Sequence, residues 1–252
     1  MKKFASIALA TALAFSLVAC GGAAQTETPA EDAGGEEQTA EVTTLVGGWS
    51  INGDIAGKTI TEEQAAIFQQ AMGNLLGVDY EPVSVIGEQL VSGKNYAYLC
   101  KSTVVAPDAQ GEWVVAVIYQ DLEGNCSLTT VNPIDPVDLH VVEGEKGAVM
   151  GGWSIPESPE GVELPGDTQA IFDTAVQKLS EDGKNYVLAP QALLATQVVS
   201  GANYQVLCIG SVDGGASQFY DMTIYKNASG DIEVTSLDAL DLDFYVTPLV
   251  DE

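Results

Sequence analysis

Residues Gly47-Gly48-Trp49-Ser50-Ile51 recur as Gly151-Gly152-Trp153-Ser154-Ile155, and further blocks follow in the same order. Ala66-Ile67-Phe68 returns as Ala170-Ile171-Phe172. Gln89-Leu90-Val91-Ser92-Gly93-Lys94-Asn95-Tyr96 returns as Gln197-Val198-Val199-Ser200-Gly201-Ala202-Asn203-Tyr204. Leu99-Cys100 is answered by Leu207-Cys208, and Ile118-Tyr119 by Ile224-Tyr225. This repetition constrains the fold more than any other feature. Whatever structure one copy takes, the other takes too, and a period of about 100 residues is a domain rather than a solenoid unit. We place the copies at 46–142 and 143–252, each of a size that folds alone. The step from Phe68 to Gln89 is 21 residues and its counterpart 25, while Cys100 to Tyr119 is 19 and its counterpart 17. The first change falls between a helix and the next strand, the second in a turn, and the Gln-to-Gly segment keeps its length.

Each copy reads as one helix followed by four strands. Thr61 with Gln64 forms a capping box, and Ile67, Phe68, Ala71, Met72, Leu75 and Leu76 recur at helical spacing as one apolar face. Ile171, Phe172, Ala175, Val176 and Leu179 do the same in the second copy, behind an Asp167 cap. Strand-like runs follow at Pro82 to Val91, Lys94 to Val105, Trp113 to Gln120 and Ser127 to Val131. Short, turn-rich breaks between them predict an antiparallel meander with the helix on one face. The expected fold class is α+β: two tandem domains, each one helix packed on a four- to five-stranded antiparallel sheet. In such a meander the first and third hairpin turns share one end of the sheet. Ser92-Gly93 and the Asp121 to Asn125 loop are therefore expected to be neighbours. Trp49 and Trp153 are expected to cover core or a sheet edge.

A Gly-Gly start, one helix, then Gln-x-Val-x-Gly at a hairpin followed by Asn-Tyr resembles the cystatins, over about residues 46–138 and again over 150–247. The resemblance implies competitive inhibition of papain-like cysteine proteases by a three-part wedge. In this chain the parts are Leu45, Val46, Gly47 and Gly48, then Gln89, Leu90, Val91, Ser92 and Gly93, then the Asp121 to Asn125 loop. Copy two offers Gln197, Val198, Val199, Ser200 and Gly201. A wedge blocks a cleft by shape and apolar contact, so glycine where backbone approaches closely and an exposed valine fit the role. Many cystatins carry Pro-Trp in the second hairpin. Here copy one has Leu122 as its apolar group, and Asn227-Ala228-Ser229-Gly230-Asp231 of copy two has no large apolar residue. Copy one is therefore the expected inhibitor. On this reading a β-branched residue at Gly93 weakens inhibition at least tenfold and moves the thermal midpoint much less. The alternative is a non-inhibitory binding module for a protein or glycan partner, because any tight hairpin can use Val-Ser-Gly before Asn-Tyr.

The amino terminus reads as an export leader. Lys2 and Lys3 precede an apolar run from Phe4 to Val18, too short to span a bilayer comfortably. Leu17-Val18-Ala19-Cys20 resembles the lipobox of bacterial lipoproteins, which implies cleavage after residue 19 and lipid on Cys20. Residues 20–45 lack aromatics and read as an acidic, flexible tether with a mean reach of roughly 25–30 Å. The expected location is outside the cytoplasm, lipid-anchored to the bacterial cell membrane.

Charge narrows the partners. The chain has 9 basic and 36 acidic residues, all the basic ones lysine. Removing a leader that holds two lysines leaves 7 minus 36, or −29. Such a surface repels nucleic acid and anionic lipid headgroups. A monomer is expected. Catalysis is not, because the single histidine, His140, lies between the copies and no nucleophile-base set is visible. No cofactor is expected, and no metal: Asp238, Asp241 and Asp243 lack the ordered spacing of a calcium loop. Cys100, Cys126 and Cys208 are expected to be free thiols.

Overall fold

Each repeat folds into a five-stranded antiparallel sheet. In copy one the strands are β1 (Trp49–Ser50), β2 (Val78–Val91), β3 (Gly93–Val104), β4 (Gly111–Gln120) and β5 (Cys126–Ile134), with α1 (Glu62–Met72) between the first two. Sheet order equals chain order, β1-β2-β3-β4-β5, so the strands form a meander. Two short strands, β6 (His140–Val141) and β7 (Gly144–Glu145), pair with each other. Copy two follows with β8 (Trp153–Ser154), α2 (Thr168–Leu179), β9 (Tyr186–Val199), β10 (Gly201–Val212), β11 (Gln218–Asn227) and β12 (Ile232–Ala239), in the same order. A short α3 (Leu242–Val246) closes it, a helix without a counterpart in the sequence reading. The computed structural model describes residues 48–51, 59–136, 140–141, 144–145, 152–156 and 162–248. The leader, Cys20, the tether, Val46, Gly47 and the boundary between 142 and 143 lie outside the described residues. No helix among the described residues is long and apolar enough to cross a membrane.

Local chemistry explains the ends of the helices. The Thr61 hydroxyl accepts from the Gln64 amide at 3.2 Å and the Gln64 side chain accepts from the Thr61 amide at 2.8 Å, the reciprocal capping box the sequence predicts. Gly73 stands at the C-cap, so α1 stops at Met72. Leu75 and Leu76 therefore fall outside the helix and are exposed, not part of its apolar face. Asp167 precedes α2 but makes no capping bond with its side chain, contrary to expectation, because its own backbone is already helical. The four extra residues of copy two are taken up where α2 runs on past Phe172 to Leu179 and into a 3-10 turn at Ser180–Asp182.

Strand β2 starts at Val78, ahead of the expected Pro82. Pairing skips Val83 and Ile86 in copy one, and Gln191 and Leu194 in copy two, so both sheets carry the same two bulges. Pro82 and Pro190 sit beside the first bulge, where a missing N–H is tolerated. A bulge bends its strand and turns extra side chains inward: Val83, Ile86 and Leu194 are all buried.

Side chains alternate between two apolar layers. On β3 and β4, Tyr96, Tyr98, Cys100, Val114, Ala116 and Ile118 face Ile67, Phe68 and Met72 of α1. Their neighbours Ala97, Leu99, Trp113, Val115 and Val117 face the other way, into a cluster shared with Leu194, Leu207, Ile209 and Phe219 of copy two. In copy two, Val206, Cys208, Met222 and Ile224 join Ile171, Phe172 and Ala175 of α2. From α1 to α2 the layers therefore run helix, sheet, sheet, helix. Two polar links cross the middle: Trp113 Nε1 donates to the Leu194 carbonyl at 2.8 Å, and Asn132 Nδ2 donates to the carbonyls of Tyr245 and Thr247 at 2.7 and 2.8 Å. Thr43–Glu252 is one compact unit. The two copies share a core rather than standing as beads on a string.

Candidate functional site

Three chain segments meet at one end of the copy-one sheet, here called its tip. The turn between β2 and β3 is Ser92-Gly93, and the loop between β4 and β5 runs from Asp121 to Asn125. Lys94 pairs with Gln120, which sets the loop beside the turn as the meander requires. Trp49 pairs with Gln89, so β1 begins at the same end and Gly48 is exposed there.

Much of the Gln-x-Val-x-Gly signature is spent on holding this end together. Asn95 Nδ2 donates to Gln89 Oε1 at 2.6 Å, and Asn203 Nδ2 to Gln197 Oε1 at 2.7 Å. Tyr119 Oη donates to the Ser92 carbonyl at 2.6 Å, and Tyr225 Oη to the Ser200 carbonyl at 3.1 Å. Gly93 has φ +132° and Gly201 φ +148°, values that L side chains avoid. The next strand also passes too close for a side chain, since a Cβ on Gly93 would overlap the Gln120 carbonyl and one on Gly201 the Lys226 carbonyl. The role of Gln89, Gly93, Gln197 and Gly201 in the sheet is thus internal.

The second loop is also built from within. Asp121 Oδ1 accepts from the amides of Glu123 and Asn125 at 2.9 and 2.8 Å, and Oδ2 accepts from Asn125 Nδ2 at 2.8 Å. The Asn125 side chain foremost, then its amide, hold the Asp121 carboxyl below the usual carboxylate range. Copy two uses an amide for the same purpose: Asn227 Oδ1 accepts from the amides of Ser229 and Asp231, both at 2.9 Å. Of these locking residues, Asn95 and Tyr119, with Asn203 and Tyr225, have no part in the sequence-derived site, whereas Gln89, Ser92 and Asp121 stand in it as contact residues. Their recurrence between copies was the available signal.

What the locks leave outward is mixed: Leu90, Val91 and Leu122 stand exposed among Ser92, Glu123 and Asn125. Leu122 is 84% exposed and Leu90 53%, with Val91 and Val198–Val199 also exposed. In copy one the exposed set is Leu90, Val91 and Leu122; in copy two it is Val198 and Val199, beside a loop of Ala228-Ser229. Lys94 bonds to Glu88 at 2.6 Å and lies over the Tyr96 ring at 4.8 Å, so the strand behind the tip is also fixed. The crest of the tip is thus a hydrogen-bonded turn and loop from which Leu90, Val91 and Leu122 project.

The remaining reactive groups are placed elsewhere. Cys100 and Cys208 are buried, and burial pushes both thiols up; the same desolvation, to a lesser degree, raises partly buried Cys126. All three are free thiols. Tyr98 is pushed up by burial and its hydroxyl donates to the Gln64 carbonyl at 2.9 Å, pinning α1 to the sheet. Trp49 is partly buried against the shared core, and Trp153 is partly buried beside its own Gln197. Among the described residues no group of three or more His, Cys, Asp or Glu is placed to hold a metal ion.

A scan against protein-family models found no match, and a search of curated proteins found none either.

Proposed function

We propose that this chain is a lipid-anchored envelope protein with two cystatin-like domains, and that the copy-one tip inhibits papain-like cysteine proteases reversibly and competitively. The observation that carries the reading is the convergence of Gly48, the Leu90–Gly93 turn and the Leu122 loop at one end of one sheet. Leu90, Val91 and Leu122 are exposed there beside Ser92 and Glu123, and the backbone is locked from behind. An edge braced by its own hydrogen bonds needs little ordering on entering an enzyme cleft, so little of the contact energy is lost to conformational entropy. It offers the cleft hydrocarbon and backbone but no strained bond. Lipid on Cys20 and the tether of residues 20–45 hold the unit outside the cytoplasm as a monomer. No cofactor takes part.

Internal locking of Gln89 and Gly93 favours one second reading, in which the fold keeps the signature and the tip binds a different protein without inhibiting an enzyme. Leu122→Glu separates the two. It places a charge at the crest, on a side chain that the core does not use. Inhibition of papain by residues 41–252 is expected to fall tenfold or more with the thermal midpoint unchanged. Equal inhibition by the variant and the parent removes the wedge.

A further inference from the structure

The two tips point in opposite directions. Within each sheet, the end opposite the tip, its foot, carries the turn between the third and fourth strands. Leu242, which follows the last strand at the foot of copy two, stands by Gly87 and Trp49 near the tip of copy one: a Cβ on Gly87 would lie 3.5 Å from Leu242 Cδ2 and 3.2 Å from Trp49 Cε3. The converse contact closes the other end. A cavity of about 710 Å³ is lined by Asp108 and Gln110 from the foot of copy one and by Trp153 and Ile155 from the first strand of copy two. Each foot therefore lies beside the other copy's tip. With β2 and β9 each 14 residues long, the crests stand roughly 40 Å apart.

Exposed apolar residues follow the same division. Leu90, Val91 and Leu122, with Val187 from the foot of copy two, lie at one end. Leu75, Leu76, Val104 and Val105, from the foot of copy one, lie at the other end with Val198 and Val199. These ten are all of the large apolar residues exposed among the described residues, and the flanks between the ends hold none. Copy two has polar Lys184-Asn185 and Asp213 where copy one has Leu76-Gly77 and Val105, and both pairs make the same backbone bond, Asp213 N to Asn185 O and Val105 N to Gly77 O. The fold does not need leucine or valine there.

We infer that the chain is bivalent, holding one partner at the copy-one tip and a second molecule of the same class at the opposite end, where Val198–Val199 and the apolar foot of copy one take the place of the leucine missing from the Asn227–Asp231 loop. This rests on the wedge reading above. The second tip repeats the asparagine, tyrosine and loop locks of the first, though Ala202 replaces Lys94, so it suits the same kind of cleft. A second copy of this chain is a poor occupant, since both would carry a net charge of −27 or below.

The test is the mass of the complex. Residues 41–252, which contain the whole compact unit Thr43–Glu252, are mixed with papain whose active-site thiol has been alkylated to prevent digestion, and the complex is weighed by sedimentation. Two papain molecules per chain are expected. Val198→Glu with Val199→Glu should reduce this to one, and Leu90→Glu with Leu122→Glu should reduce it to one at the other end. Saturation at one papain per parent chain, or two papains on the Val198/Val199 variant, overturns bivalency while leaving the wedge in place. Absence of any complex overturns both.

Discussion

A Cβ on Gly93 would overlap the Gln120 carbonyl and come within 2.8 Å of the Tyr119 ring, at a φ of +132°. A valine there strains the hairpin before it meets any partner. Gly93→Val is expected to lower the unfolding midpoint by roughly 5 °C or more, read by calorimetry. This reverses the expectation drawn from sequence, in which the same change left the midpoint little affected. A valine variant with native stability would show that the turn relaxes freely. Asp121 gives a second residue-level outcome. Its carboxyl is held below the ordinary value near 3.9, so its contribution to loop order is full above that value and is lost as pH falls through the lower, folded one. The amide shift of Asn125 should move in that acid range, whereas that of Ser229, bonded to the Asn227 amide oxygen, should stay. Asp121→Asn should abolish the difference; movement of both loops together would assign the effect to general acid unfolding.

Helix α1 was legible from its own residues. Thr61 and Gln64 are a capping signature, and the bonds they predict are present. Thr61→Ala should cost about 1 kcal/mol in a denaturant titration. Asp167→Ala should cost less than about 0.5 kcal/mol, because no capping bond is lost; equal losses would contradict this distinction. The strands were legible as to order, and the meeting of the two turns at one end follows from the meander alone. Their extent was less so. Val78-Asp79-Tyr80-Glu81-Pro82 alternates as a strand does, but proline reads as a break until the bulge beside it is known. The covered second face was also written in the chain. Trp113-Val114-Val115-Ala116-Val117-Ile118 is an unbroken apolar run, and such a run needs cover on both sides. What lay on the second side could not be read, because periodicity within a strand says nothing of its distant neighbour. The meeting of the two turns is legible, but the bonds that brace them are not, since the hydrogen bond between Gln89 and Asn95 depends on register rather than on residue type.

At the scale of the molecule, the copies share one core and are not separate modules. Val115, Val117, Leu99 and Trp113 have their cover in Leu194, Leu207, Ile209 and Phe219. Residues 143–252 alone should therefore bind a hydrophobic dye and lack a cooperative thermal transition, and Trp113→Ala in the whole unit should cost about 3–5 kcal/mol. A cooperative transition in the isolated half would show that the shared layer is dispensable. Dissection of the two tips accordingly calls for point changes at the crests within the intact unit, not for separated halves. We propose that the copy-one tip closes a cysteine-protease cleft. The most direct test is substrate turnover by papain titrated with residues 41–252, with the added protein weighed afterwards to show that it is uncut. Inhibition that is competitive with substrate, reversed on dilution, and complete at micromolar concentration is expected. Full papain activity beside intact protein in micromolar excess would contradict it.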